Sequence, residues 1–323
     1  MQKKIIILLL CFIVFVNVKP LVSKHIHMDN YFYNVALKGA THIVDSNEKA
    51  RFFSIDEGTK PIYRQITTPP NLLYIDLPEN NTFITDDMGM AVFEIDKFGN
   101  VVWEQKQKDK TYFGIIPINL NEIVFNAYSY GRVEKLNKVT GEANTIYDGY
   151  MRDIVPAEGG NLLLVGHEDK GKAVIIDVEG KLIWESNPEF YYPRGVWQKE
   201  DGNILIVDFR GKAYEIDYYT KNIIWEMKGF NCPNSIQETI NKNYLIADEH
   251  NNRVVEINPI NKKIVRTYSR DLWSPNYARE LKNGDWLICD TDNNRVIQIN
   301  NQDNMVWELS NMHTPNRAVR LEP

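Results

Sequence analysis

An apolar-apolar-Trp-Glu tetrad recurs along this chain, and its spacing constrains the fold more than any other feature. It reads Val-Val-Trp-Glu at 101–104, Leu-Ile-Trp-Glu at 182–185, Ile-Ile-Trp-Glu at 223–226 and Met-Val-Trp-Glu at 305–308. Trp103, Trp184, Trp225 and Trp307 are 81, 41 and 82 residues apart, which is two, one and two periods of about 41. Weaker copies fill the gaps at Tyr63, Tyr147 and Ile264-Val265-Arg266. A period in the range 20–50 residues marks a stacked repeat architecture.

A second landmark repeats at the same interval. Apolar strands end in a turn residue at Asp45, Asp86, Asn126, Gly166, Asp208, Asp248 and Asp290, at intervals of 40 to 42 residues. Within one unit the pattern is four short strands: 235–239, 244–247, 253–257 and 263–267, separated by Asn-rich turns. Short alternating strands joined by Asn, Asp and Gly turns form an up-and-down four-stranded blade. One blade buries neither face alone, whereas blades stacked around an axis bury both. The expected fold is therefore all-β, a β-propeller of seven four-stranded blades, with six or eight as alternatives. The segment at Thr314–Ala318 repeats the opening of the strand at Ser274–Ala278, so the chain ends in one extra innermost strand. The expectation is that it completes a blade begun at Tyr33–Ala36 and closes the ring.

The chain carries a net charge of -6, with no Lys/Arg cluster, which argues against nucleic acid and anionic lipid surfaces as partners. Lys3 and Lys4 precede twelve unbroken apolar residues, 5–16. That run suits an export signal better than a membrane span of about twenty residues. Residues 1–23 are read as a signal peptide or an uncleaved N-terminal anchor, the only route to a membrane. Residues 24–323 are read as one propeller domain of a secreted, periplasmic or cell-surface protein. Cys232 and Cys289 are read as two buried thiols, with a single bridge as the alternative.

Pro-Asn at 233–234 and 275–276, Leu-Ile-Ala-Asp at 245–248, Leu-Ile-Cys-Asp at 287–290, Asn-Asn-Arg-Val at 251–254 and 293–296, and the Trp-Glu tetrads resemble the repeats of bacterial and archaeal propellers. These are the arylsulfotransferase-like, NHL-repeat and quinoprotein-like (PQQ-like) families. The resemblance covers nearly all of the chain after its first residues and implies the propeller fold. Arylsulfotransferases of this kind use a histidine near the axis with basic neighbours, so the resemblance implies an enzyme as the alternative to a binding module.

In such blades, the connections leading into the innermost strand surround the axial opening, a concave place that favours ligands. Asn71, Arg152, Arg194, Asn234, Asn276 and Asn316 recur where innermost strands begin. Tyr112, Tyr150, Tyr191, Tyr192, Phe230 and Trp273 precede them. Arg152, Arg194, Asn234, Asn276, Asn316, Tyr192 and Trp273 are the candidate ligand-binding set. His313, just before Pro315-Asn316, is the candidate nucleophile or base for the enzyme alternative, and His167 and His250 lie in turns further out. The Asp-rich run at 290–294 lacks the glycine and distal glutamate of a calcium loop and reads as turn capping. No metal ligand set and no cofactor motif is found. The leading functional expectation is a binding module for a glycan, a small aryl ligand or a protein.

Overall fold

The computed structural model describes residues 40–44, 50–54, 81–106 and 111–322. Residues 1–23, read above as a signal peptide or anchor, Tyr33–Ala36, Tyr63 and Asn71 lie outside the described residues. The chain divides into two compact units, 1–68 and 69–323. The first contains a two-stranded antiparallel hairpin, β1 (Ala40–Val44) and β2 (Ala50–Ser54).

The second unit is the propeller. Among the described residues it has six four-stranded antiparallel sheets, each built from consecutive strands in up-and-down order except one. Blade 1 comprises β3 (Thr82–Asp86), β4 (Ala91–Ile95) and β5 (Val101–Lys106), with the C-terminal β26 (Pro315–Arg320) as its innermost strand. Blades 2 to 6 follow at 112–148, 151–185, 193–228, 233–268 and 275–309. Their innermost strands are β6 (Tyr112–Pro117), β10 (Met151–Ala157), β14 (Pro193–Gln198), β18 (Pro233–Glu238) and β22 (Pro275–Glu280). Each innermost strand packs beside the next, and β26 meets β6, so the ring is closed.

The described residues form six blades, the count given as an alternative to seven. The Asp45 landmark lies outside the described residues, and the strands that flank it in sequence, β1 and β2, pair with each other in a two-stranded sheet. The closing strand also has a different partner from the one expected. β26 pairs with β3 in antiparallel register, Ala318 opposite Ile84 and Arg320 opposite Thr82. Strands β3 to β5 form a blade that lacks an innermost strand, and β26 supplies it.

The burial pattern follows from the stacking. Second strands are buried along their whole length and apolar up to a closing aspartate, as in Ile204–Asp208 and Tyr244–Asp248. Six apolar clusters each lie at one of the six blade junctions. The tryptophans of the outermost strands fasten neighbouring blades: Trp184 Nε1 donates to the Tyr218 carbonyl at 2.8 Å and Trp225 Nε1 to that of Pro259 at 2.9 Å. Blade 5 has Arg266 at this place, and its Nη2 donates to the Asn300 carbonyl of blade 6 at 2.7 Å. Cys232 and Cys289 are buried free thiols.

Candidate functional site

The second residue of every innermost strand departs from the strand's alternation. In β10, β14, β18, β22 and β26 the register steps from the first residue to the third, leaving Arg152, Arg194, Asn234, Asn276 and Asn316 without a partner. In β6 the step runs from Tyr112 to Ile115 and leaves Phe113 and Gly114 unpaired. A bulge of this kind bends the strand and re-aims one side chain. Repeated in all six blades, it sends six side chains toward the axis. Phe113, Arg152, Arg194, Asn234, Asn276 and Asn316 all line one axial cup.

The loops that carry this ring are held by the buried aspartates that end the second strands. Asp248 Oδ1 accepts from Asn231 N at 2.7 Å and Asp290 Oδ1 from Trp273 N at 2.8 Å. Asp86 accepts from both His313 N and Thr314 N at 2.9 Å. Tyr192, Cys232 and Ser274, each just before the strand's proline, have φ of 44°, 52° and 51°. Non-glycine residues are strained in that region, so the fold over-determines these three entry turns.

The floor of the cup is made by the third residues. Arg317 of blade 1 reaches Asp153 of blade 3 in an ion pair, and the Arg317 guanidinium lies over the Tyr277 ring at 4.5 Å. Asp153 also accepts from the backbone of Val196 at 3.1 Å and Ile154 at 2.9 Å. Burial pushes the Asp153 carboxyl upward, and Arg317 opposes that shift. At the equivalent places blades 2 and 4 carry Gly114 and Gly195. A Cβ on Gly195 would come within 2.7 Å of Ser235 Cα, so strand packing there requires glycine.

A second tier stands over the ring, formed by the first residue after each second strand: Asp87, Tyr128, His167, Phe209, Glu249 and Thr291. Inner and outer members meet within blades. Phe113 and Tyr128 pack edge to face at 4.7 Å, the Arg194 guanidinium lies 5.7 Å from the Phe209 ring, and Asn234 Nδ2 donates to Glu249 Oε2 at 2.8 Å. The tier is polarised. Blades 2 to 4 present aromatic rings and two arginines; blades 5 and 1 present the carboxylates Glu249 and Asp87.

The polar ring members form a directed chain. Arg152 Nη2 and Arg194 Nε donate to Asn234 Oδ1 at 3.3 and 3.0 Å. Asn234 Nδ2 donates to Asn276 Oδ1, and Asn276 Nδ2 to Asn316 Oδ1 at 2.7 Å. Every amide points the same way, so each bond polarises the next.

The three arginines of the cup differ in their partners. Arg317 is paired with Asp153, and Arg194 Nη2 with Glu249 Oε2 at 2.9 Å. Arg152 makes one side-chain hydrogen bond, at 3.3 Å, and no ion pair among the described residues. Its guanidinium stacks on the Phe113 ring at 3.7 Å. Burial first and the Arg194 charge second pull its pKa down to about 9. His167 sits beside it, edge-on to Tyr128 at 5.7 Å and to Tyr192 at 5.2 Å. Burial, then Arg152 and Arg194, lower His167 to about 4, so its ring is neutral at pH 7.

The structure thus brings Arg152, Arg194, Asn234, Asn276 and Asn316 together, and Tyr192 joins the aromatic arc beside them. Trp273 is 58% exposed and His313 has a side chain 72% exposed; neither lines the cup. His313 Nδ1 lies 3.6 Å from Asp86 Oδ2, on the turn that anchors β26. Cys232, Glu249 and His250 place three potential metal-ligand atoms within 4.8 Å of one another. Glu249 Oε2 is already shared by Arg194 and Asn234, and a metal cation there would face the guanidinium. Phe113, Asp87, Glu249, Asp153 and Arg317 were absent from the residues singled out in the sequence. The tier was readable as the residue following each second-strand landmark, but its six chemistries share no common type.

No protein-family model matches the chain, and no curated protein does. Solved structures do match. A protein of unknown function from Bacteroides caccae aligns with TM-score 0.64 at 17% identity, over 74% of this chain and 98% of that one. A chain of a nidogen/laminin complex aligns at 0.58 and 12% identity, over 74% and 97%. Streptogramin B lyase aligns at 0.54 and 15% identity, over 72% and 80%. These likenesses support the β-propeller fold, which is consistent with a binding module.

Proposed function

We propose that this protein is a binding module whose site is the axial cup, and that it holds the small anionic group of a ligand at Arg152. Similar propellers occur in a two-protein complex and in a lyase, so the choice rests on the site and not on the fold. The observation that carries the reading is the unequal pairing of the arginines. A buried charge is ordinarily paired, and Arg152 alone of the three in the cup has no carboxylate. Its planar fork suits a carboxylate, sulfate or phosphate, bound through two parallel N–H donors. The enclosed space of the cup is about 20 Å³, room for one small group, so it takes a small ion or the charged tip of a larger ligand.

Calorimetric titration of the full chain with sulfate, phosphate and acetate at constant ionic strength tests this. Binding is expected at pH 7, with a loss of about tenfold or more in Arg152→Gln. Equal binding by wild type and Arg152→Gln, or none by wild type, would contradict the proposal.

A further inference from the structure

We propose that Cys232, Glu249 and His250 form a zinc-type metal site beside the mouth of the cup, with one coordination position open. The site goes beyond anion binding at Arg152 and stands without it.

Blade construction brings the three residues together. Cys232 lies in the entry turn before Pro233, and Glu249 and His250 follow the second strand of the same blade. Two hydrogen bonds join these turns: Asn231 N donates to Asp248 Oδ1 at 2.7 Å, and His250 N to the Asn231 carbonyl at 3.1 Å. Asp248 is wholly buried and also accepts from Arg253 Nε at 2.7 Å. The backbone that carries the ligands is thus fixed before any metal arrives. The scaffold recurs, but its side chains do not. Blade 4 has Tyr192, Phe209 and Arg210 at these places, and blade 6 has Ser274, Thr291 and Asp292. A blade therefore forms without a thiol, a carboxylate and an imidazole here, and their convergence in blade 5 calls for another reason.

The three ligand atoms lie within 4.8 Å of one another. Cys232 Sγ is 3.6 Å from Glu249 Oε2, and His250 Nε2 is 3.6 Å from Glu249 Oε1. With bonds of about 2.0–2.3 Å, the ligands of one tetrahedral zinc stand about 3.3–3.8 Å apart. Closure by about 1 Å completes the site. The His250 side chain, 49% exposed, has room to supply it.

Arg194 orients the carboxylate. Its Nη2 and Asn234 Nδ2 both hold Oε2, which leaves Oε1, on the His250 side, for the metal. Ligating carboxylates are ordinarily held by such outer hydrogen bonds. The metal displaces the Cys232 thiol proton to solvent, as thiolate ligation requires. Thiolate and carboxylate then cancel its double charge, so the guanidinium faces a neutral centre. Sulfur and imidazole ligands favour zinc over calcium and magnesium, which take oxygen. Three protein ligands leave the fourth position to water or a ligand.

The test is a Co2+ titration of the full chain at pH 7 after dialysis against a chelator. Cobalt stands in for zinc and reports its ligands by absorption. Tetrahedral d–d bands and a thiolate-to-cobalt charge-transfer band are expected, both bleached by Zn2+. Cys232→Ser is expected to lose the charge-transfer band. His250→Ala is expected to keep it while binding Co2+ about tenfold or more weakly. Far-UV circular dichroism checks the fold of both variants, and the exposed His250 gives a readout even where Cys232→Ser fails to fold. A charge-transfer band absent from wild type, or retained in Cys232→Ser, would overturn the site. So would His250→Ala binding Co2+ as tightly as wild type.

Discussion

A guanidinium stacked on a phenyl ring, reached by one long amide contact, is poorly compensated for its burial, and Arg152 shows this in its lowered pKa. One layer down, Arg317 has a carboxylate partner in the interior, Asp153. Breaking such a pair strands a buried charge and costs about 3–5 kcal/mol, while replacing both partners by apolar groups is often neutral. Arg317→Met is therefore expected to destabilise by about 3–5 kcal/mol. The double variant Arg317→Met with Asp153→Leu is expected to recover much of that in denaturant unfolding. Equal losses in single and double variants would show that the pair contributes as more than a neutralised charge. His167 adds an acid-side liability. Its folded pKa lies near 4 against 6.5 for the free side chain, so between those values the unfolded chain binds the extra proton. Stability then falls as pH drops from 6.5 to 4, and the loss is complete below about 4. His167→Phe keeps the edge contacts to Tyr128 and Tyr192 and removes the titration. It is expected to flatten the stability profile across that window by on the order of 2 kcal/mol, read from unfolding midpoints at several pH values. An unchanged slope would mean that His167 is not the group responsible.

At the scale of the element, the innermost strand joins construction to chemistry. Its first residue pairs with the aspartate that ends the second strand, its second is bulged toward the axis, and its third meets the floor. Where the motif keeps its Pro-Asn or Pro-Arg form, the ring residue was readable in the sequence: Arg194, Asn234, Asn276 and Asn316 were identified in this way. Blade 2 begins with Tyr112-Phe113-Gly114, without proline, and its ring member Phe113 was not. The fifth blade was also legible nearly strand for strand, because Asn turns bound each of its apolar runs. Glu249 was hidden for a different reason. Arg194 reaches it from the neighbouring blade, and no local pattern encodes a contact between blades. Exposure also separated Trp273 and His313 from the cup, though both stand beside proper ring positions.

For the whole molecule, one strand closes the ring. β26 pairs with β3 across more than two hundred residues of chain, with Arg320 Nε donating to Thr82 Oγ1 at 3.0 Å. Both junctions of blade 1 use its residues: Val319 packs toward blade 2 and Ala318 toward blade 6. Removing residues 312–323 deletes a full innermost strand with two cup-lining residues, Asn316 of the ring and Arg317, the partner of Asp153. The shortened chain is expected to lose cooperative thermal unfolding; a transition as sharp and as high as that of the full chain would contradict this account of closure. Counting landmarks could not separate six blades from seven, because the apolar run before Asp45 carries the same apolar-strand-then-aspartate signature as a blade, while β1 and β2 pair with each other in a two-stranded sheet. Closure is a property of the ring and resolves the count.

The central claim is that the axial cup holds an anion at Arg152. Crystals of the full chain soaked in selenate would test it directly, through the anomalous signal of selenium. The account predicts a peak in the cup within ion-pairing distance of the Arg152 guanidinium, absent from Arg152→Gln crystals. Peaks confined to surface lysines and arginines, with none in the cup, would contradict it.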